Sequence, residues 1–192
     1  MTKFISALVA ISAGLTVSSP AFAHPGHDLG GGFAAGIMHP LTGTDHLAAM
    51  LLVGLWAGLL ARRTRWQIPT AFLVAMLAGF FAASPGLTAM TEPLILLSLL
   101  ALGMAAALHW RAPAPLAAAI VALFGYAHGQ AHGFETPHGA MPLVFALGFL
   151  LSSAAVQGIG LWLARKLPVF VSRAAGVAGM GLGLTLALAG GA

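Results

Sequence analysis

The chain has 192 residues, of which 59% are hydrophobic and only 6% charged, and its mean hydropathy is +0.97. A soluble domain carries about 25% charged residues, so eight Lys and Arg with four Asp and Glu cannot cover a water-facing surface, and the chain reads as an all-α membrane protein. The net charge of +4 falls in short loops with no recognition element for nucleic acid, the lack of cysteine removes disulfides and thiolate chemistry, and no G-x-x-x-x-G-K-[ST] pattern cradles ATP.

Residues 1–23 read as a cleavable signal peptide. Lys3 gives a positive n-region, 4–17 an apolar h-region and Ala21-Phe22-Ala23 an A-x-A cleavage site, while Ser18, Ser19 and Pro20 end the apolar run too early for a span. Residues 24–32 then form a periplasmic tail in which His24 and His27, beside Asp28, are candidate metal collectors. A six-transmembrane-helix bundle over 33–192 follows, with apolar stretches at about 33–61, 66–83, 93–110, 115–132, 141–164 and 169–190, each near the roughly 20 residues that cross the hydrocarbon. With the mature N-terminus outside, the inner loops hold Arg62, Arg63, Arg65, Arg111, Arg165, Lys166 and Arg173, and the outer loops hold no Lys or Arg. That is the distribution the positive-inside rule requires, and it puts both mature termini in the periplasm. Gly54 with Gly58, and Gly179 with Gly183, are spaced for close helix approach. Trp66 and Trp110 suit the membrane interface.

Ionisable groups inside a span are costly and face a cavity, a partner or an ion path. The first stretch contains His39-Pro40-Leu41-Thr42-Gly43-Thr44-Asp45-His46. His39 and His46 share a helical face but lie two turns apart, too far for one ion on a straight helix. Pro40 and Gly43 are therefore expected to bend or unwind the segment and turn His39, Asp45 and His46 toward one cavity. The fourth stretch ends in His128-Gly129-Gln130-Ala131-His132-Gly133-Phe134-Glu135. His128 and His132, spaced i and i+4, can converge on one ion, and Glu135 stays on their face if the helix continues. At 1.5 Å per residue, His39 and His128 both lie roughly 10 Å below the outer surface. One buried histidine is as readily a hydrogen-bonded packing group as a ligand. Four of them with Asp45 and Glu135 carry a desolvation cost that packing does not need, and they point to a shared metal site. His109 and His138 read as interfacial, and Glu92 as a charge favoured at a helix N-terminus.

Imidazole with carboxylate suits nickel, cobalt and zinc, and the lack of thiolate counts against copper(I). The ion is cargo; no prosthetic group or catalytic residue is expected. The alternatives to a permease are a non-transporting, metal-binding accessory protein and a metal-dependent hydrolase, the latter without an H-E-x-x-H or G-x-S-x-G pattern in support. Oligomeric state is left open by the sequence.

On these motifs the chain resembles the HupE/UreJ family of small membrane proteins, associated with nickel supply to hydrogenase and urease. The pattern H-P-x-x-G-x-D-H-x-x-x-M-x-x-V-G is present as His39, Pro40, Gly43, Asp45, His46, Met50, Val53 and Gly54, and H-G-x-A-H-G-x-E as His128, Gly129, Ala131, His132, Gly133 and Glu135. The resemblance implies secondary transport of nickel, with cobalt as a second cargo, across a bacterial inner membrane. Larger nickel and cobalt permeases carry a related element with four residues between histidine and aspartate; here five separate His39 from Asp45, and that family's geometry is not transferred.

Overall fold

The structure is a computed structural model and describes residues 31–62 and 64–189. The expected signal peptide and the tail residues His24 and His27 lie outside the described residues. Seven α-helices and no strand occur among those described: α1 (Gly31–Thr42), α2 (Thr44–Leu59), α3 (Gln67–Phe81), α4 (Thr88–Ala107), α5 (Ala114–Phe134), α6 (Pro142–Lys166) and α7 (Val169–Leu188), with a 3-10 turn at Pro85–Leu87 before α4.

Each predicted apolar stretch is helical, and prolines mark several starts. Pro115 and Pro142 occupy first-turn positions of α5 and α6, where a missing N–H costs nothing and the fixed φ suits the helix. Two expectations change. Helix α4 begins at Thr88, so Pro93 lies inside it and Glu92 sits in its second turn rather than at its N-terminus. The first stretch is two helices, and the break falls at Gly43, not at Pro40, which remains inside α1. Gly43 has extended backbone, φ −79° and ψ 115°. Just before it, the Thr42 hydroxyl donates to the His39 carbonyl at 2.9 Å. Glycine then leaves the helix at little cost.

Close backbone contact at glycines holds the helices together. A Cβ on Gly79 would collide with the Tyr126 carbonyl, one on Gly125 with the Phe72 carbonyl, and one on Gly129 with the Met76 carbonyl. The pairs Phe72–Gly125, Met76–Gly129 and Phe80–Gly133 rise together in number, so α3 and α5 run parallel. Gly36 and Gly148 lock α1 to α6, and Gly54 and Gly160 lock α2 to α6, again in parallel. Gly103 faces Gly176 while Leu99 faces Gly183, so α4 and α7 are antiparallel. Of the predicted packing glycines, Gly54 and Gly58 meet α6, while Gly179 and Gly183 meet Leu52 of α2 and Leu99 of α4. In an apolar medium, where burying more hydrocarbon gains nothing, such close approach is the main source of helix affinity.

Most of α2 is buried, and Trp56 anchors its far end. The Trp56 indole N–H donates to the Trp110 carbonyl at 2.8 Å, and the two rings stack at 5.7 Å. Trp110 is held there by the end of α4, where His109 adopts a left-handed φ of 53° and the Trp110 N–H donates to the Ala105 carbonyl at 2.9 Å.

Three helical segments, Ala89–Ala107, Pro142–Lys166 and Val169–Leu188, are long and apolar enough to cross a membrane. Helices α2 and α3 are apolar but shorter, at 16 and 15 residues. Helix α5 has 21 residues and carries His128, Gln130 and His132 in its last two turns. The outward faces expose Val74, Leu97, Leu123, Leu151, Ile159 and Val177, as a lipid-facing surface does.

Gly125→Ala is expected to destabilise the fold by about 1–3 kcal/mol through overpacking against α3. Gly181→Ala, where nothing lies within 4 Å, should be neutral or stabilise by up to about 1 kcal/mol through helix propensity. Unfolding titrations in mixed micelles compare the two, and equal stabilities would contradict the glycine-contact account.

Candidate metal centre

On either side of Gly43, α1 and α2 both pack along α6, and both motifs of the first stretch meet the last turns of α5. His39, near the end of α1, is partly exposed, and its Nε2 lies 2.7 Å from Glu135 Oε2. Glu135 terminates α5, its N–H still donating to the Ala131 carbonyl at 3.1 Å, so the helix does persist far enough to present it. His39, His132 and Glu135 each offer a ligand atom within 4.8 Å of the others, which is the reach of one coordination sphere.

The remaining histidines continue inward. The His132 ring is 4.9 Å from both His39 and His46, and the His46 ring is 4.9 Å from His128. The order His39, His132, His46, His128 is therefore a file of imidazoles from a partly exposed rim to the interior. His132 and His128 are wholly buried, and His46 nearly so.

Their hydrogen bonds decide which nitrogens are free. A carbonyl can only accept, so His128 Nδ1 donates to the Phe124 carbonyl at 2.8 Å and its Nε2 keeps a lone pair. His46 Nδ1 lies 3.1 Å from Asp45 Oδ1, again leaving Nε2. Both Nε2 atoms, and both nitrogens of His132, are buried without a hydrogen-bond partner among the described residues. A ring that spends one N–H on a carboxylate or carbonyl and leaves the other nitrogen without a protein partner has the arrangement of a metal ligand with its orienting partner. Asp45 thus contacts His46, as a carboxylate that fixes its tautomer, and His128 faces His46 while its i+4 neighbour His132 joins His39 and Glu135.

Several contributors carried no signal in the sequence. Phe149 stacks on His132 at 4.8 Å, Phe145 meets His39 edge-on at 5.5 Å, and Phe72 lies 5.3 Å from His128. Together they wall the imidazoles with hydrocarbon and keep water from competing for the nitrogens. Phenylalanines in apolar helices are indistinguishable from packing residues until the neighbours are known. His138 is exposed in the loop after α5, and His109 lies beyond α4; neither joins the cluster.

An apolar helical bundle with imidazoles from three helices, two carboxylates at their side and buried imidazole nitrogens without protein partners defines a membrane protein with a candidate metal centre. A profile of the HupE / UreJ protein family matches residues 11–190. The chain is also 34% identical over 169 residues to Protein HupE of Rhizobium leguminosarum bv. viciae, an alignment covering 85% of this chain and 88% of that protein. No solved structure matches. The chain belongs to the HupE / UreJ family.

Asp45→Ala removes the acceptor that orients His46, and nickel affinity of the detergent-solubilised protein is expected to fall about 10- to 100-fold. Asp45→Asn, whose amide oxygen can still accept from Nδ1, should retain part of it. Titration calorimetry measures both, and parent-like affinity in the alanine variant would remove Asp45 from this role.

Proposed function

We propose that the chain is a secondary permease that imports nickel, with cobalt as a second cargo, across a bacterial inner membrane through the His39, His132, His46 and His128 file. The observation that carries this reading is the run of buried imidazole nitrogens without protein partners, beginning at a partly exposed His39–Glu135 rim. The choice of nickel rests on the family, which is associated with nickel accessory functions for hydrogenase and urease.

Six spans fit this reading, with α1 and α2 together forming the first. The parallel registers of α2 with α6 and of α3 with α5, and the antiparallel register of α4 with α7, are those of spans that alternate in direction. The signal peptide, the periplasmic termini and a collecting role for His24 and His27 complete the proposal. Glu135 and His39 would meet the incoming dication at the rim, His132 would take it from water to imidazole, and His46 and His128 would hold it deeper. Inside-negative potential supplies about 2.3 kcal/mol per charge per 100 mV, hence roughly 4.6 for a dication, so uptake needs no ATP.

In proteoliposomes, alanine at His39, His46, His128 or His132 is expected to cut initial nickel uptake at least about 10-fold. Pairs of these changes should lose far less than the product of the single losses, because ligands of one path act as a unit. Two or more single variants with parent rates would assign these histidines to packing. Metal binding without entry in the parent would point to a non-transporting accessory protein.

A further inference from the structure

Helix α6 carries Phe145, Phe149, Ser153 and Gln157, spaced four apart along one ridge that winds about 40° per step around the helix. All four are 0% exposed. The first two wall the imidazole file, at His39 and at His132. The same stripe then continues past the histidines and turns polar. Ser153 Oγ, Gln157 Nε2 and Gln157 Oε1 are all buried with no hydrogen-bond partner among the described residues.

Other buried groups of the same types are not left this way. Gln130 donates to the Gly79 carbonyl and to the Tyr126 hydroxyl, both at 3.2 Å, and accepts from the Ser84 N–H at 3.4 Å. Ser98 and Ser152 each donate to the carbonyl three residues earlier, at 2.6 and 3.2 Å. A wholly buried glutamine with neither its oxygen nor its nitrogen bonded is costly in any interior and more so in a bilayer. Such a group points to something else that occupies the space beside it.

Its depth says what. At 1.5 Å per residue, Gln157 lies about 12 Å further along α6 than Phe149. Its own carbonyl abuts Gly54, two turns beyond His46 on the parallel helix α2. The stripe therefore leads from the imidazoles away from the His39–Glu135 rim.

We propose that Ser153 and Gln157 form a second polar station on the ion path, inward of the imidazoles, which accepts hydrogen bonds from the water ligands of a partly hydrated divalent cation. This rests on the permease reading above. Water bound to a dication is a strong donor, and Gln157 Oε1 and Ser153 Oγ are acceptors that can receive it. Both are uncharged, so they stabilise the ion as it leaves imidazole without trapping it, which is what conduction between successive sites requires.

The test uses Ser153→Ala, Gln157→Met and the double variant, with initial nickel uptake in proteoliposomes and nickel affinity in detergent measured on each. Methionine keeps the length of glutamine and removes its hydrogen bonds. The double variant is expected to lose at least about 10-fold in uptake while affinity changes less than about twofold, because the imidazoles are untouched. Parent-like uptake in the double variant overturns the station and leaves the permease reading intact. A fall in affinity that parallels the fall in uptake also overturns it, since the two residues would then serve the packing of the imidazoles. A parent that moves no nickel removes the permease reading and the station with it. Independently, the chain has no cysteine, so Ser153→Cys introduces a single thiol of nearly the same shape. It should react with a small water-soluble thiol reagent and be slowed by nickel. A thiol that stays unmodified in protein with parent-like nickel affinity marks a dry interface and refutes the station.

Discussion

One residue of extended backbone, Gly43, governs where the chemistry of this protein falls. On an unbroken helix, His39 and His46 would be separated by about 10 Å along the axis. Across the break, the two rings flank that of His132, each 4.9 Å from it. Beside the opening, the Thr42 hydroxyl donates to the His39 carbonyl. Irregular backbone at this depth survives because its polar groups have partners or face the imidazole cluster rather than lipid.

The second requirement is that α5 stand close to α3 and in one register. Gly125 and Gly129 press against carbonyls of α3, and this contact sets the rotation of α5 that turns His128 and His132 inward. Gln130, between them in sequence, points the other way and ties α5 to the Gly79 carbonyl and the Ser84 N–H. Alternate polar residues of one helical turn thus serve different ends: the histidines keep their nitrogens free, and the glutamine binds structure. Phe72, Phe145 and Phe149 complete the enclosure, so that a bound cation would feel imidazole and carboxylate with little water to screen them.

Much of this was legible in the amino-acid sequence, for a physical reason. A histidine or carboxylate in an apolar stretch stands out because hydrocarbon tolerates it only for a purpose, and His39, Asp45, His46, His128, His132 and Glu135 were all picked out on that ground. The helices were legible as well, since each apolar run was long enough to require one. Less visible was the division of labour. Spacing along α5 suggested that His128 and His132 share an ion; in the structure His132 also stands beside His39 and Glu135, and His46 lies 4.9 Å from both His128 and His132. Asp45 was read as a member of the site, and its carboxylate lies against the neighbouring His46. Ser153 and Gln157 gave no signal, because serine and glutamine in helices ordinarily find a nearby carbonyl; only the three-dimensional neighbourhood reveals that these two do not.

The glycine contacts divide the bundle into tightly joined pairs, with α1 and α2 fastened to α6 and α3 fastened to α5. The four histidines do not share a pair: His39 and His46 travel with α6, His128 and His132 with α3. The histidines therefore straddle a seam between two glycine-joined groups of helices, like teeth on opposite jaws. A small slide of one group on the other would change how many nitrogens reach a common point, from several to one or two, without breaking any glycine contact or unwinding any helix. In the permease reading, grip on the ion and cohesion of the fold would be carried by different surfaces, so that the first could vary while the second is kept.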